Sequence, residues 1–333
     1  MRRTCITGGA GFIGSHLTER LIDDGTEVVV VDDFRTGHRA FLASVLDNPN
    51  FKLYEGDVLE QRLLEDAFSG CDWVFHMQAN ADVRRGLEHP VRDLEQNTIA
   101  TSRVLEAMRH AGVPNVVFAS TGSVYGEPEV FPTPEDAPFP IQTSLYAASK
   151  LACEGLIEAY CEGFGMTGVI YRFVSILGER YTHGHVIDFY RSLRADPSRL
   201  LVLGNGKQEK SYLYVQDCVD AILTAAKHHE GDAAAHVYNL GTDETITVDD
   251  SVAIIAAQLR VSPAVEHTGG IRGWVGDSPL IQLDTSRIRS LGWTPKLTIR
   301  KAIERTVEWL GANTQIWSDT EFPADAIPSR GID

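Results

Sequence analysis

The residues best suited to chemistry in this sequence are a tyrosine and a lysine four positions apart. Tyr146 and Lys150 lie in a stretch of helical periodicity, so both side chains are expected on one face of a helix. A phenol ordinarily ionises at about pH 10, and a nearby ammonium lowers that value. The pair could therefore act as a general base near neutral pH. Because this spacing also arises by chance on many helices, its meaning depends on the motifs around it.

Two hydroxyl residues, Thr121 and Ser123, follow a β-branched stretch in the segment FASTGSVYG. In open α/β folds, ligands bind at the carboxyl ends of the strands. A hydroxyl at that edge could share a proton with a substrate and with Tyr146. The alternative is an ordinary Ser/Thr turn without a chemical role.

A glycine-rich turn, TCITGGAGFIGSHL, opens the chain between a β-branched stretch and a helical one. Gly8 permits a tight turn, Gly11 lets the backbone approach a pyrophosphate, and Gly14 lets the helix pack close to the strand. The N-terminus of that helix then faces the anion. We therefore predict a dinucleotide site here that also includes Phe12 and Ile13.

Acidic residues at the ends of the second and third predicted strands bear on which dinucleotide binds. Asp32 stands eighteen positions after Gly14, where a carboxylate can accept hydrogen bonds from an adenosine ribose. It would repel a 2′-phosphate, which favours NAD over NADP, although Arg35 is close enough to accommodate that phosphate. Asp57, together with Val58, could bond the adenine amino group. An aspartate that only turns a loop explains Asp57 equally well.

Alternating strands and helices must hold these residues in place. β-branched runs alternate with helical segments through the first half of the chain, a pattern that predicts an α/β fold with a doubly wound parallel sheet. Predicted strands cover residues 4–7, 26–31, 51–54, 73–76, 116–120, 168–173 and 237–241. Predicted helices cover residues 91–110, 145–164, 215–227 and 299–310, with a further helix after Thr247.

The segments 91–110 and 145–164 are apolar on more than one side of the helix. A second buried surface of this kind often forms a two-fold dimer interface, so we expect a homodimer. Additional packing inside the monomer explains the same pattern.

Composition argues against several classes of partner. The 333 residues carry a formal net charge of −16 without a local basic patch, which disfavours nucleic acid and anionic membrane surfaces. The chain enters its first strand at Thr4 and has no long apolar run, so we expect no signal peptide or membrane span and a cytoplasmic location. The five cysteines show no CxxC spacing and are expected to be reduced.

Two histidine pairs, His183 with His185 and His228 with His229, stand out by their spacing. The sequence shows no thiolate or carboxylate partner at metal-binding spacing beside them, so no metal site is expected.

The glycine turn, the Thr121 segment and the Tyr146–Lys150 pair, in this order, resemble the extended short-chain dehydrogenase/reductase family over residues 1–311. Within it, the chain looks most like the UDP-galactose 4-epimerases and the related UDP-glucuronate 4-epimerases. The resemblance implies a Rossmann fold and NAD, and it implies that Thr121, Tyr146 and Lys150 are catalytic.

The mechanism that this resemblance implies is reversible oxidation of a sugar. Tyr146 removes the proton of the sugar 4-hydroxyl while the hydride on carbon 4 passes to NAD, and Thr121 hydrogen-bonds the oxygen. The 4-keto sugar rotates and receives the hydride on its opposite face. NAD is thereby regenerated and should stay bound.

Departures from related families narrow the expected reaction. The nucleotide-sugar 4,6-dehydratases have Asp-Glu where this chain has Gly122 and Ser123, and the related decarboxylases have Glu at the place of Ser123. Dehydration and decarboxylation are therefore disfavoured. Two alternatives stay open: a nucleotide-sugar reductase or dehydrogenase that releases its cofactor, and a non-catalytic NAD-binding scaffold.

The resemblance also suggests substrate contacts outside the catalytic residues. His185 and Val186 lie in a segment that resembles the one wrapping the nucleotide diphosphate. Lys210 stands where the family usually has an arginine that contacts phosphate, and Arg272 and Arg84 are further candidate cations. Each cation could equally be a solvated surface residue.

One position bears on the identity of the sugar. Galactose-type epimerases usually have asparagine where this chain has Ser175, and uronate epimerases tend to have a small hydroxyl residue there. Thr182, however, stands where some uronate enzymes have an arginine. On balance the sequence slightly favours UDP-glucuronate over UDP-glucose.

The expected organisation is one large domain with a smaller interleaved one. Residues 1–173 and 215–241 are assigned to the NAD-binding Rossmann domain, and residues 174–214 and 242–311 to a nucleotide-sugar-binding domain. The segment 312–333 lacks periodicity and is expected to be a loosely ordered tail.

Overall fold

The main sheet of the protein is parallel and doubly wound. The structure is a computed structural model that describes residues 1–80, 88–139, 141–274 and 276–318. In this part of the chain, seven strands form one sheet in the order β11-β6-β5-β4-β1-β2-β3, and every neighbouring pair is parallel. The strands of this sheet are β1 Arg3–Thr7, β2 Glu27–Asp32, β3 Phe51–Glu55, β4 Trp73–His76, β5 Asn115–Thr121, β6 Thr167–Phe173 and β11 Ala235–Leu240. This is the Rossmann-like α/β fold that the sequence predicts.

Alternation along the strands places apolar side chains on both faces of the sheet. Val28 and Val30 of β2 join one hydrophobic core, whereas Val29 and Val31 join the other. A strand buried on both faces needs apolar residues at every position, which explains the run of four valines.

Helices cover these two faces and pack the smaller part of the molecule. Their bounds are α1 Phe12–Asp23, α2 Gln61–Phe68, α3 Pro90–Asp93, α4 Ala100–Ala111, α5 Leu145–Phe164, α6 His185–Ala195, α7 Val215–His228, α8 Val248–Leu259, α9 Ser286–Arg289, α10 Ile299–Ala312 and α11 Thr314–Ser318. Helices α2, α4 and α5 contribute to one core, and α1 and α7 contribute to the other.

Short strands after residue 173 form small sheets beside the main one. β7 Ser175–Leu177 pairs with β10 Tyr212–Tyr214, and β8 Arg199–Val202 pairs with β13 Ala264–His267. β9 Glu209–Lys210 lies between β12 Ile246–Thr247 and β14 Leu280–Ile281. The division into two interleaved domains at the boundaries given above stays a prediction.

The segment predicted as one helix over residues 91–110 is divided. It consists of α3, a π-helical turn at Leu94–Ile99, and α4. Asn97 is buried in the wide turn, where its side chain donates to Ser149 Oγ at 2.9 Å and accepts from the Asn80 backbone N–H at 2.8 Å. These contacts with other parts of the chain compensate for the irregular turn.

Within the segment 312–333, Thr314–Ser318 forms a short helix that contacts α10, and the loosely ordered tail stays a prediction. The remainder of that segment lies outside the described residues. All five cysteines are buried and unpaired. Among the described helices, none combines the length and the apolar character that a membrane crossing requires.

Candidate functional site

The glycine turn lies where the strand order of the main sheet reverses, between β1 and β4. Gly8 has φ +71, in the left-handed region, and its N–H donates to Val31 O at 2.8 Å. A Cβ at position 14 would lie 2.1 Å from Gly8 O, so α1 can approach the turn only with glycine there. A Cβ at position 11 would meet only Gly8 O, at 3.1 Å. The crevice at such a reversal is where open α/β sheets bind ligands.

Helix α1 begins without a capping side chain. Gly11 is its N-cap residue and makes no side-chain capping bond, and the first turn carries no acidic residue. Phe12 and Ile13 are the first residues of α1, so their backbone N–H groups are among those that lack a partner within the helix. These donors and the positive end of the helix dipole suit a pyrophosphate.

Asp32 ends β2 beside this turn. It is buried, and its carboxylate accepts hydrogen bonds from the backbone N–H of Ala10 at 2.9 Å and of Phe34 at 2.8 Å. Burial raises the pKa of Asp32, against the lowering effect of the two hydrogen bonds. Each carboxylate oxygen retains a second lone pair, with which it can accept from a ribose hydroxyl.

Arg35 is held by two carboxylates. It lies 3.0 Å from Asp33 Oδ2 and donates to Asp57 Oδ2 at 3.1 Å. Asp57 Oδ1 accepts from the Leu59 N–H at 2.9 Å, and Val58 is buried. Because Arg35 is already neutralised, it offers little to the 2′-phosphate of NADP. The turn, the uncapped helix and Asp32 together fit NAD.

Lys150 is almost completely buried on α5. It is 1% exposed, and its Nζ lies 4.2 Å from the centre of the Phe118 ring. Burial lowers the pKa of Lys150 from 10.5 to about 8, partly offset by the nearby Cys153 and Glu154. The ammonium is therefore much easier to deprotonate than that of a solvated lysine.

Tyr146 and Thr121 meet at the carboxyl edge of the sheet. Tyr146 is half-buried on α5, and burial raises the pKa of its phenol above 10, while a hydrogen bond with Thr121 lowers it. Thr121 Oγ1 also lies 3.1 Å from Ser123 Oγ and accepts from the Ser123 N–H at 3.1 Å. The three hydroxyl groups thus form one cluster. In the structure, burial outweighs the lowering of the Tyr146 pKa that the sequence predicts from Lys150.

An ion pair lies behind this cluster, and the sequence analysis did not predict it. Glu154 and Arg172 are both buried, and Arg172 donates to Glu154 at 2.7 Å and to Tyr125 at 2.8 Å. Ser120 also hydrogen-bonds Glu154. The position of Glu154, four residues after Lys150, was the available signal, because that spacing puts both residues on one face of α5.

Lys210 and Arg272, two of the three predicted diphosphate cations, lie close together and are already paired. Lys210 forms an ion pair with Asp277, and its Nζ lies 4.9 Å from the Trp274 ring centre. Arg272 pairs with Glu127 and donates to Asp277 O at 3.3 Å. A diphosphate would have to compete with these carboxylates.

The remaining predicted substrate residues differ in accessibility. Ser175 is exposed at the start of β7. His185 Nδ1 lies 3.4 Å from Tyr212 Oη, and burial, followed by the nearby Lys210, lowers the pKa of His185 to about 3. Val186 has its side chain in the hydrophobic core, and its role stays a prediction. Arg84 lies outside the described residues.

The expectation that the histidine pairs have no carboxylate partner is wrong for one of them. His229 Nδ1 lies 2.6 Å from Asp232 Oδ2, three residues further along the chain. The turn after α7 brings these groups together, and the sequence spacing alone did not show that.

Comparisons with known proteins agree with this geometry. The model of the NAD dependent epimerase/dehydratase family matches residues 4–241. A UDP-glucose 4-epimerase of Mycolicibacterium smegmatis is 33% identical over 321 residues, which are 94% of this chain and 100% of that protein.

Solved structures are similar over most of the chain. A UDP-galactose 4-epimerase structure has a TM-score of 0.82 and 38% identity, covering 93% of this chain and 99% of that one. The UDP-glucose 4-epimerase of Thermus thermophilus in complex with NAD has a TM-score of 0.81 and 32% identity, with the same coverage of 93% and 99%.

Proposed function

The chain belongs to the NAD dependent epimerase/dehydratase family, its cofactor is NAD, and we propose that it inverts carbon 4 of a UDP-linked sugar. One observation carries the proposal: Thr121, Ser123 and Tyr146 form a hydroxyl cluster at the carboxyl edge of the sheet, and Lys150 is buried on the same helix as Tyr146. The two positions after Thr121 hold Gly122 and Ser123, neither of which can serve as the carboxylic acid or carboxylate for removing water.

Each residue of the cluster has a separate task in this proposal. Tyr146 accepts the proton of the sugar 4-hydroxyl, and Thr121 hydrogen-bonds the same oxygen. NAD accepts the hydride of carbon 4 and returns it. Since burial favours the neutral phenol, Tyr146 must lose its own proton before it can act, and a positive charge nearby is needed for that.

The observations that bear on the sugar point in two directions, toward a neutral hexose and toward a uronate. Lys210 and Arg272 are both taken up by carboxylates, which leaves neither cation free for a sugar carboxylate, and the relatives named above act on UDP-glucose or UDP-galactose. We therefore take UDP-glucose and UDP-galactose as the first substrate pair. Ser175 supports UDP-glucuronate and UDP-galacturonate as the second, because a small hydroxyl residue at that position suits a uronate.

The test is epimerisation by the purified protein without added cofactor. UDP-glucose, UDP-glucuronate and their N-acetylated analogues are incubated separately, and the epimers are resolved by chromatography. Tyr146→Phe should abolish turnover and retain bound NAD. Tyr160→Phe is the matched control, because Tyr160 lies on the same helix but bonds Glu106 at 2.5 Å, outside the cluster.

Three results would reject the proposal. Wild-type turnover in Tyr146→Phe would remove the proposed base. A cofactor that is lost on dialysis, with net formation of an oxidised or reduced sugar, would favour a reductase or dehydrogenase. An NAD-bound protein with no turnover of any nucleotide sugar would favour the scaffold.

We also propose a homodimer formed through the region of α3 to α5. Val91 is 58% exposed and Leu94 51%, one helical turn apart, and Phe164 at the end of α5 is 56% exposed, so this region offers apolar surface for a contact. Leu94→Glu should shift the sedimentation coefficient from that of a dimer to that of a monomer. A wild-type protein that sediments as a monomer would reject this assembly.

A further inference from the structure

The turn between α7 and β11 gathers three groups that can ligate a metal ion. His229, Asp232 and His236 each offer one ligand atom, and these atoms all lie within 4.8 Å of one another. The turn precedes β11, so it lies at the amino edge of the main sheet. The hydroxyl cluster lies at the opposite, carboxyl edge, and the proposed epimerase reaction makes no use of the turn.

The three groups already have spacings close to those of a metal site. Asp232 Oδ2 lies 2.6 Å from His229 Nδ1 and 3.3 Å from His236 Nε2. Tetrahedral ligands at zinc–nitrogen distances of about 2.0–2.1 Å are separated from one another by about 3.3 Å. One spacing therefore matches, and the other requires Asp232 to move away from His229 by about 0.7 Å.

The two imidazole rings are stacked face to face, with centres 3.6 Å apart and planes that differ by 13°. An imidazole binds a metal ion in the plane of its ring, so the half-exposed His236 must turn about its side-chain bonds for both rings to ligate one ion. His236 Nε2 is buried and makes no hydrogen bond in the described part of the chain, although it faces Asp232. An imidazole nitrogen in this condition has an unused lone pair or an unsatisfied proton, and a metal ion would satisfy it.

The other nitrogen of His229 has a partner of its own, which can hold the ring in place when Nδ1 binds a metal ion. His229 Nε2 lies 2.5 Å from Tyr238 Oη on β11. At 2.6 Å the Nδ1–H of His229 donates to Asp232, and Nε2 accepts from the Tyr238 hydroxyl. When a metal ion replaces the proton on Nδ1, the ring carries its proton on Nε2 and donates it to Tyr238 Oη. His229 is itself buried, which fixes the orientation of its ring.

We propose that His229, Asp232 and His236 bind a divalent transition-metal ion, with Zn²⁺ as the favoured ion. Two imidazoles and one carboxylate suit Zn²⁺, whereas Mg²⁺ and Ca²⁺ prefer sites made of oxygen ligands. Water completes the coordination. The ion ties the end of α7 to β11, which is an edge strand of the main sheet, and so it stabilises the fold without taking part in the reaction.

Metal titration of the full chain with its NAD, produced without a histidine tag and treated with a chelator, tests the proposal. Co²⁺ is the spectroscopic probe, because its visible absorption reports the coordination geometry, and Zn²⁺ competition then gives the affinity. We expect one ion per chain. Saturating Zn²⁺ should raise Tm by about 3–5 °C, as expected when an ion binds only the folded state.

Three variants separate this site from general binding by histidines. His236→Gln and Asp232→Asn each remove one ligand and should weaken Zn²⁺ binding by more than about tenfold and abolish the rise in Tm. His228→Gln is the matched control: His228 is exposed, and its ring centre lies 4.7 Å from that of His229, but it is outside the ligand set. It should bind Zn²⁺ as the wild type does.

All variants should keep the wild-type NAD content and the wild-type rate with the preferred UDP-sugar, which also shows that they fold. The proposal is overturned if Co²⁺ gives no saturable spectrum, if His236→Gln and Asp232→Asn bind Zn²⁺ as tightly as the wild type, or if His228→Gln loses as much affinity as they do. In each of these cases the three groups form an ordinary hydrogen-bonded cluster.

Discussion

Replacing Lys150 by methionine should stabilise the NAD-free protein while abolishing its activity. Lys150 is 1% exposed, and burial lowers its pKa from 10.5 to about 8. The unfolded chain keeps the same ammonium in water with an ordinary pKa. A difference of about 2.5 units, at about 1.4 kcal/mol per unit, means that the charged lysine costs the folded state about 3–4 kcal/mol.

Part of this cost is offset by the ring below the ammonium. The Lys150 Nζ lies 4.2 Å from the centre of the Phe118 ring, and such a contact stabilises a cation by about 1 kcal/mol. Methionine has a similar length and keeps the apolar contacts of the lysine stem. The expected net gain in the free energy of unfolding is therefore about 2–3 kcal/mol at pH 7.

The gain should depend on pH in a defined direction. Between the folded pKa of about 8 and the unfolded value of 10.5, the unfolded chain binds a proton at Lys150 that the folded chain has released. The stability of the wild type therefore rises with pH through this window. Below it both states carry the proton and the advantage of methionine is complete. Above it both states are neutral and the electrostatic part of that advantage is gone.

Equilibrium unfolding in urea, at pH 7 and at pH 10, measures the effect on NAD-stripped protein at one protein concentration. The control is Lys301→Met, because the side chain of Lys301 is 67% exposed and its substitution should change the stability by less than about 0.5 kcal/mol at either pH. A destabilised Lys150→Met variant at pH 7 would refute the reasoning. So would a gain of equal size at both pH values.

Three further substitutions test the cofactor and catalytic sites. Gly14→Ala places a Cβ 2.1 Å from Gly8 O and should abolish co-purification of NAD, which absorbance and mass analysis measure. The control is Gly155→Ala, whose Cβ would meet no atom within 4 Å and which should retain NAD. Asp32→Ala removes the acceptor of two backbone N–H groups as well as the predicted ribose contact. Calorimetry should therefore show a larger loss of affinity for NAD than for NADP. Equal losses of affinity would leave Asp32 with a structural role only. Thr121→Val removes the hydrogen bond to Tyr146 and should lower kcat about 10- to 100-fold with a smaller change in KM, and an unchanged kcat would contradict its role.

The sequence predicts the main sheet well because burial on both faces leaves a strong apolar signal. The predicted strand 73–76 coincides with β4, and the others differ by one or two residues at an end. Helix α5 has the predicted bounds, because Ser144 caps its N-terminus and Gly165, with φ +67, ends it. The π-helical turn at Leu94–Ile99 leaves no comparable pattern, because its compensating contacts involve residues far along the chain.

In the candidate site too, the features that depend on local sequence could be predicted, and those that depend on distant residues could not. The cofactor turn could be predicted because each glycine meets a local backbone requirement within fourteen residues. The carboxylate partners of the cations could not be predicted, because they are distant in sequence: Lys210 and Asp277 lie 67 residues apart, and Arg272 and Glu127 lie 145 residues apart. Pairings of this kind depend on how the small sheets fold back onto the main one, and periodicity does not contain that information.

The electrostatics of α5 explain why sequence spacing alone gave the wrong direction for the pKa of Tyr146. Four residues between Tyr146 and Lys150 suggest a phenolate stabilised by an ammonium, but burial acts on both residues and disfavours both charges. The chain limits this effect at Lys150 through Glu154, one helical turn further on, which raises the pKa of the lysine. Arg172 and Ser120 hold Glu154 in position. The buried ion pair therefore belongs to the same electrostatic unit as the catalytic pair. Its carboxylate supports the charge on Lys150, and the burial of Tyr146 keeps the phenol protonated until a further positive charge is present.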